Sequence, residues 1–458
     1  MNGDGRLAFP AGFLWGVGTS AYQIEGAVDA DGRGESIWDR FSAAPGAIAD
    51  GSTGARACDH YHRVESDLDL LAALGVGAYR FSIAWPRLFP DGGSTPNPAG
   101  FGFYDRLVDG LLERGIRPAP TLYHWDLPQR LQDRGGWTDR GTVDRFVHYA
   151  AAAFEALGDR VRLWMTHNEP WMVSFIGHLR GVHAPGMRDL QAALRAAHHL
   201  LLSHGEAVRA FRASGRPGDI GIVLNLLPTY PVTGSAADRD AARGSDGYTN
   251  RWFLDPLHLA RYPQDTIARF ERAGGRLDFV ADGDMAAIAE PTDFLGVNYY
   301  TCRRVSATDP SANHEFGWRV EEPGSDVPQS AMGAEIYPEG LTATLRRLRD
   351  DYGEQALYVT ENGVAYREET PDRTGRVRDQ RRISFLRDHI AAVHRALADG
   401  VDVRGYFVWS LMDNFEWAAG YGPRFGLVYV DYSTFERVPK DSFRYYAGVI
   451  GDNAVVPG

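Results

Sequence analysis

The run R-L-W-M-T-H-N-E, residues 162–169, decides the fold. Its apolar residues are adjacent, not alternating, so both faces meet apolar neighbours, as in a parallel strand covered on both sides. It then stops in two polar residues, Asn168 and Glu169. Seven other stretches share this form. They are F-L-W-G-V-G-T-S-A (13–21), G-A-Y-R-F-S-I (77–83), R-P-A-P-T-L-Y-H-W (117–125) and D-I-G-I-V-L-N-L (219–226). The last three are D-F-L-G-V-N-Y-Y (293–300), A-L-Y-V-T-E-N (356–362) and V-R-G-Y-F-V-W-S-L (403–411). Between them lie segments with apolar residues three and four apart, which read as amphipathic helices. Four of these end at Gly75, Gly115, Gly158 and Gly400, positions suited to helix C-caps.

Eight strands alternating with helices predict an α/β fold, a single closed (β/α)8 TIM barrel over residues 1–458. Two doubly wound domains would give a similar count, but no glycine-rich phosphate loop follows a first strand. The turn-rich segment from about 302 to 338 reads as a long loop after the sixth strand, on the active-site side.

Composition narrows the function. Hydrophobic residues are 44% and charged residues 24%, which is the balance of a globular protein. The net charge of −12 argues against nucleic acid as a partner. No stretch approaches 18 consecutive apolar residues, so no membrane partner is expected. The opening M-N-G-D-G-R-L-A-F-P lacks a basic segment followed by an apolar core, so a cytoplasmic location is expected. Cys58 and Cys302 are too few for a disulfide framework or a cysteine-based zinc site. His60 and His62 invite a metal reading, but structural roles are expected for them. Neither a metal nor a cofactor is predicted, and the sequence does not set the oligomeric state.

Barrel enzymes carry their chemistry at the carboxyl ends of the strands. Polar or aromatic residues occupy those ends here: Gln23, Arg80, His124, Asn168 with Glu169, Asn225, Asn298 with Tyr300, Glu361, and Trp409. Glu169 and Glu361 end the fourth and seventh runs, so the fold would bring them together across the barrel mouth. Two opposed carboxyls suit glycosidic bond cleavage. One donates a proton to the leaving oxygen; the other, ionised, meets the positive charge developing at the anomeric carbon.

At these residues the chain resembles glycoside hydrolase family 1, the β-glucosidase family, over nearly its full length. The resemblance rests on F-L-W-G-V-G-T-S-A-Y-Q-I-E-G-A (13–27), C-D-H-Y-H-R (58–63), Y-R-F-S-I-A-W-P-R (79–87) and L-Y-H-W-D-L-P (122–128). It continues through N-E-P-W (168–171), G-V-N-Y-Y (296–300), T-E-N-G (360–363), W-S-L-M-D-N-F-E-W (409–417) and R-F-G-L-V-Y-V-D-Y (424–432). Their order and spacing together are specific. The resemblance implies a retaining β-glucosidase, with possible activity on β-galactosides or β-fucosides. Its partners would be small β-glycosides or short oligosaccharides.

The same resemblance implies roles. Glu361 would be the nucleophile and Glu169 the acid/base, with carboxyls about 5–5.5 Å apart. Arg80 would pair with the nucleophile, Tyr300 would orient it, and Asn168 would bond the sugar 2-hydroxyl. Asn298 belongs to the same catalytic group. Gln23, His124, Trp125, Glu416 and Trp417 would contact the glycone; Asn225 would add to substrate binding. Trp409 would lie under the sugar ring, Phe425 would wall the 6-position, and Trp171 would face the aglycone. Relatives acting on 6-phosphorylated sugars carry serine, lysine and tyrosine where this chain has Glu416, Pro423 and Phe425, so unphosphorylated substrates are expected. Glu169 also separates the chain from the thioglucosidase branch, which has glutamine there. Ala334 replaces a tryptophan common in relatives, which should widen the entrance. Two other functions are consistent with these residues: a transglycosylase using the same intermediate, and a non-catalytic sugar-binding barrel.

Overall fold

The computed structural model describes residues 5–308, 316–367 and 369–458. Eight strands form its centre. These are β1 (Leu14–Gly18), β2 (Ala78–Ser82), β3 (Arg117–Tyr123) and β4 (Leu163–Asn168), then β5 (Asp219–Asn225), β6 (Phe294–Asn298), β7 (Leu357–Asn362) and β8 (Val403–Trp409). Each pairs in parallel with its neighbours in sequence. Strand β8 returns to β1 through Phe407 opposite Gly16 and Trp409 opposite Gly18, which closes the barrel. All eight expected strands are present, in sequence order.

The interior explains why the runs are apolar on both faces. A buried cluster takes at least one side chain from every strand, including Leu14, Ala78, Ala119, Met165, Val223, Phe294, Tyr358 and Phe407. Only the inside of the ring is shared by all eight, so this cluster fills the barrel. The opposite faces pack against the surrounding helices in the main core.

Those helices include α1 (His60–Leu74), α2 (Pro98–Glu113), α3 (Gly141–Leu157), α4 (Leu190–Ala213), α5 (Pro338–Tyr352) and α6 (Gln380–Ala398). Gly75 caps α1 with a left-handed φ of 79°, and Gly115 and Gly400 follow α2 and α6 with φ of 71° and 85°. Gly158 differs from expectation. It stays right-handed at φ −72°, and a Cβ there would lie 2.3 Å from the Phe154 carbonyl oxygen. This glycine answers a close approach, not a turn of hand.

The segment expected as a plain loop also contains strands. Arg303–Ala307 pairs antiparallel with Trp318–Val320 and parallel with Thr229–Pro231. Val305, fully buried on Ala241 and Ala242, anchors the ladder, and one inward apolar residue is too weak a pattern to read in a polar stretch. Residues 309–315 of that segment, and the first four of the N-terminal stretch, lie outside the described residues.

Cys58 and Cys302 are free and buried. His60 bonds Asp67 at 2.8 Å and His62 bonds Asp59 at 2.7 Å. No helix among the described residues is long and apolar enough to cross a membrane.

Candidate active site

The strand ends meet in a cavity of about 570 Å³. Its wall includes His124, Trp125, Asn168, Glu169, Trp171, Asn225, Asn298, Tyr300, Glu361, Trp409, Glu416, Trp417 and Phe425. Two of the sequence-predicted residues stand behind the wall. Arg80 is fully buried and reaches forward to two groups: Nη1 pairs with Oε1 of Glu361, and Nη2 donates to Oδ1 of Asn168 at 2.7 Å. Gln23, also fully buried, spends its amide on neighbours. Nε2 donates to Asn414 Oδ1 and the Phe415 carbonyl at 2.9 Å, and more weakly to Glu416 at 3.4 Å. Its Oε1 accepts from Ser20 at 2.6 Å.

The two central carboxyls have different partners. Glu361 has the Arg80 guanidinium on one oxygen and the Tyr300 hydroxyl, at 2.5 Å, on the other. Burial and the Glu361 charge hold the Tyr300 phenol well above its ordinary range, so it remains a donor. Among the described residues, Glu169 accepts only a neutral amide, from Asn298 Nδ2 at 2.8 Å. Burial, then repulsion by Glu361, pushes the Glu169 carboxyl up to about 8. Thr360, beside Glu361, donates to Asn298 Oδ1 at 2.7 Å and so turns the amide nitrogen toward Glu169.

The surrounding side chains are equally constrained. Trp125 Nε1 donates to the Asn168 carbonyl at 2.9 Å, and Asn168 Nδ2 lies 3.1 Å from His124 Nε2. Burial and Arg80 lower the His124 pKa, so its imidazole is neutral and accepts this bond. Trp417 packs 4.5 Å from Trp125 and 4.6 Å from Trp38, centroid to centroid. Glu169, Trp125 and Trp417 all have positive φ, at 49°, 81° and 49°. Left-handed backbone at a non-glycine costs about 1–3 kcal/mol and persists only where the surroundings impose it. Glu416 is also protonated more readily than usual, raised to about 8 by burial and by Glu361.

The loop after β8 carries Glu416, Trp417 and Phe425, and a buried charge network fixes it. Lys440, the single lysine of the chain, is fully buried between Glu369 (2.8 Å) and Asp413 (2.9 Å). Asp413 also pairs with Arg424 at 2.7 Å and accepts from Gly426 N at 2.9 Å. Arg382 joins Glu369 to the Phe425 carbonyl.

The wall thus sets an ion-paired carboxylate, Glu361, beside a desolvated one, Glu169. The Glycosyl hydrolase family 1 model matches residues 6–455. The chain belongs to glycosyl hydrolase family 1. Within the family it is similar to Beta-glucosidase A of Acetivibrio thermocellus, 47% identical over 98% of this chain and 99% of that one. A bifunctional beta-D-glucosidase/beta-D-fucosidase of Bifidobacterium breve is 47% identical over 98% and 99%. The beta-glucosidase from Thermotoga maritima in complex with glucoimidazole superposes with a TM-score of 0.93 at 47% identity, covering 98% of this chain and 99% of that chain.

Several groups were not singled out from the sequence. Thr360 and Asn414 lie within the motifs 360–363 and 409–417 but were given no role of their own, and nothing in the sequence around Lys440 marks it; each holds the residues it bonds. Asp126, next to Trp125, is buried with neither carboxyl oxygen hydrogen-bonded, and burial pushes it up to about 8. Met172, at the start of a helical turn, and Val182, Met332 and Ile336, from loops, complete the cavity wall along paths only the fold defines.

Proposed function

We propose that the chain is a retaining β-glucosidase that hydrolyses terminal, unphosphorylated β-D-glucosyl residues. Glu361 attacks the anomeric carbon while Glu169 protonates the leaving oxygen; the aglycone departs and a glycosyl ester remains on Glu361. Glu169, now unprotonated, takes a proton from water, which cleaves the ester. The carrying observation is the contrast between the carboxyls. Glu361 has a guanidinium and a phenol on its oxygens, while Glu169 has one neutral donor and a pKa raised to about 8. A group at that value still holds its proton at neutral pH, as a general acid must.

Around them, Arg80 and Tyr300 orient the nucleophile, Asn298 orients the acid, and Asn168 faces the sugar 2-hydroxyl. His124, Trp125, Glu416 and Trp417 bind glycone hydroxyls, and Gln23 acts through Glu416. Trp409 lies under the ring, Phe425 closes the 6-position, and Asn225 and Trp171 face the leaving group. The Glu416 carboxyl and the lack of a cation at Pro423 disfavour a 6-phosphate. Residues 1–458 act as one catalytic unit. The protein works in the cytoplasm, in keeping with the free, buried thiols of Cys58 and Cys302. The relatives named for glucosidase and fucosidase activity support the substrate class and a β-fucoside side activity.

A panel of nitrophenyl β-glycosides, with proton NMR of the first-formed product anomer, tests this. The β-glucoside should be cleaved with the β-anomer appearing first. Glu361→Ala should abolish turnover, and azide should restore cleavage as the α-glycosyl azide. Glu169→Ala should spare good leaving groups and fail on poor ones. Equal losses on all substrates would overturn the two roles.

A further inference from the structure

We propose that Asp50 is a positioning residue for glycone selectivity: it clamps the turn from Glu416 to Tyr421 and so holds the Glu416 carboxyl at the 6-hydroxyl of the sugar. This deepens the proposed β-glucosidase function and rests on it. Asp50 belongs to the loop after β1 and Glu416 to the loop after β8, the two strands that close the barrel. The two Asp50 oxygens do different work. Oδ1 accepts from Ser52 N at 3.0 Å and from the Ser52 hydroxyl, which fixes a local turn. Oδ2 has no part in that turn. It accepts from Tyr421 N at 2.8 Å, across 371 residues.

Gly420 lets the carboxylate come this close. A Cβ there would stand 2.1 Å from Asp50 Oδ1, and the backbone, at φ 67° and ψ −144°, has a conformation that suits glycine alone. Gly420 also closes the turn from within. Its carbonyl accepts from Glu416 N at 2.8 Å, and its own N–H donates to the Trp417 carbonyl at 3.1 Å. The Glu416 backbone is thus bonded to Gly420, and Gly420 is one residue from the Asp50 contact. The Lys440 network holds the chain on either side, at Asp413 and at Arg424 to Gly426. The turn between them is anchored by the Asp50 segment.

That segment supplies two further bonds. Ala49 N donates to the Ala418 carbonyl, and the Tyr421 hydroxyl donates to the Thr53 carbonyl, both at 2.8 Å. Tyr22 and Trp38, also from the chain after β1, pack on the Trp417 ring at 6.0 and 4.6 Å between centroids. Ala49, Ala418 and Ala419 stand on the cavity wall, so the clamp adjoins the sugar site. A hydrogen bond weakens steeply once its donor and acceptor lose alignment. Loosening the turn therefore penalises most the sugar that needs the Glu416 carboxyl at its 6-position.

Kinetics on 4-nitrophenyl β-D-glucoside and its 6-deoxy analogue test the proposal. The two substrates share a leaving group and differ only in the 6-hydroxyl, and the wild type should prefer the glucoside. In Asp50→Ala, kcat/KM for the glucoside should fall about tenfold, mainly through KM, as for the loss of one hydrogen bond to a charged group. For the 6-deoxy glucoside it should fall less than about threefold, so the selectivity ratio narrows. Tyr421→Phe, which loses the bond to Thr53, should narrow the ratio in the same direction. Asp50→Asn keeps a carbonyl oxygen for Tyr421 N and should recover most of the ratio. A partly unfolded sample loses both substrates equally and leaves the ratio unchanged. Equal losses or no loss in Asp50→Ala, or a wild type indifferent to the 6-hydroxyl, overturn the inference while the glucosidase function stands. No cleavage of the glucoside by the wild type would defeat that function and this inference with it.

Discussion

Asn298 donates to Glu169 Oε1 at 2.8 Å through the same nitrogen that lies 3.1 Å from Asn168 Oδ1. Asn168 in turn takes a second bond from Arg80, whose other arm pairs with Glu361. The two carboxyls are thus joined by one chain of fixed bonds. Its cationic end meets Glu361 and its neutral end meets Glu169. Arg80, placed on β2, gives Glu361 a cationic partner that Glu169 lacks.

The first prediction concerns that asymmetry. With Glu169 at about 8, kcat/KM should fall along an alkaline limb near that pH as the acid loses its proton. Part of the shift comes from the Glu361 charge, so removing the charge should lower it. In Glu361→Gln, NMR titration of Glu169 should give a pKa clearly below that of the wild type. An unchanged value would mean that burial alone sets the proton affinity and that the two groups are not coupled.

Arg80 supplies the second. Its side chain is fully buried, and Arg80→Met would leave Glu361 without its cation and Asn168 without the shorter of its two donors. Breaking a buried pair from one side costs about 3–5 kcal/mol. Denaturant unfolding should register a loss of that order, and kcat should drop at least a thousandfold. Arg80→Lys keeps the charge but cannot fork to both partners, so it should recover stability before activity. Full activity in Arg80→Met would remove Arg80 from the proposed machinery.

The strands were legible because each run is apolar on both faces and ends in a polar residue, and a parallel barrel demands both features at once. The pairing of Glu169 with Glu361 followed from the same logic, since ends of the fourth and seventh strands face one another. Other features were hidden for physical reasons. Gln23 is read from the sequence as a glycone residue, but its anchoring was hidden: Ser20, Asn414 and the Phe415 carbonyl engage its amide, which depends on a loop nearly 400 residues away. The apolar part of the cavity wall was hidden as well. Val182, Leu227 and Met332 come from three separate loops and make a surface only after folding.

Lys440 gives a third prediction. It is fully buried and bridges Glu369 and Asp413 beneath the loop that carries Glu416 and Phe425. Lys440→Met should leave two carboxylates short of a cation and destabilise the protein by about 3–5 kcal/mol. The surviving folded fraction should show a raised KM for the glucoside with a smaller change in kcat, because the glycone wall loosens before the central pair. Equal changes in KM and kcat would argue against a positioning role for this network.

The last prediction concerns Asp126, whose carboxyl is buried without a hydrogen bond and raised to about 8. Its folded pKa therefore lies far above the ordinary carboxylate value of 3.8. Between those two values the unfolded chain releases the Asp126 proton while the folded protein keeps it. The folded state then binds more protons, so stability falls as pH rises through this window. Above about 8 both states are ionised and the penalty is complete. Asp126→Asn removes the titration, and its melting temperature should decline less steeply than the wild type between pH 5 and pH 8. Glu169 and Glu416, both raised to about 8, add slopes of the same sign, so Asp126→Asn should reduce the dependence without abolishing it. If the two melting curves run parallel across that range, Asp126 is ionised in the folded protein and must have a cationic or hydrogen-bonding partner.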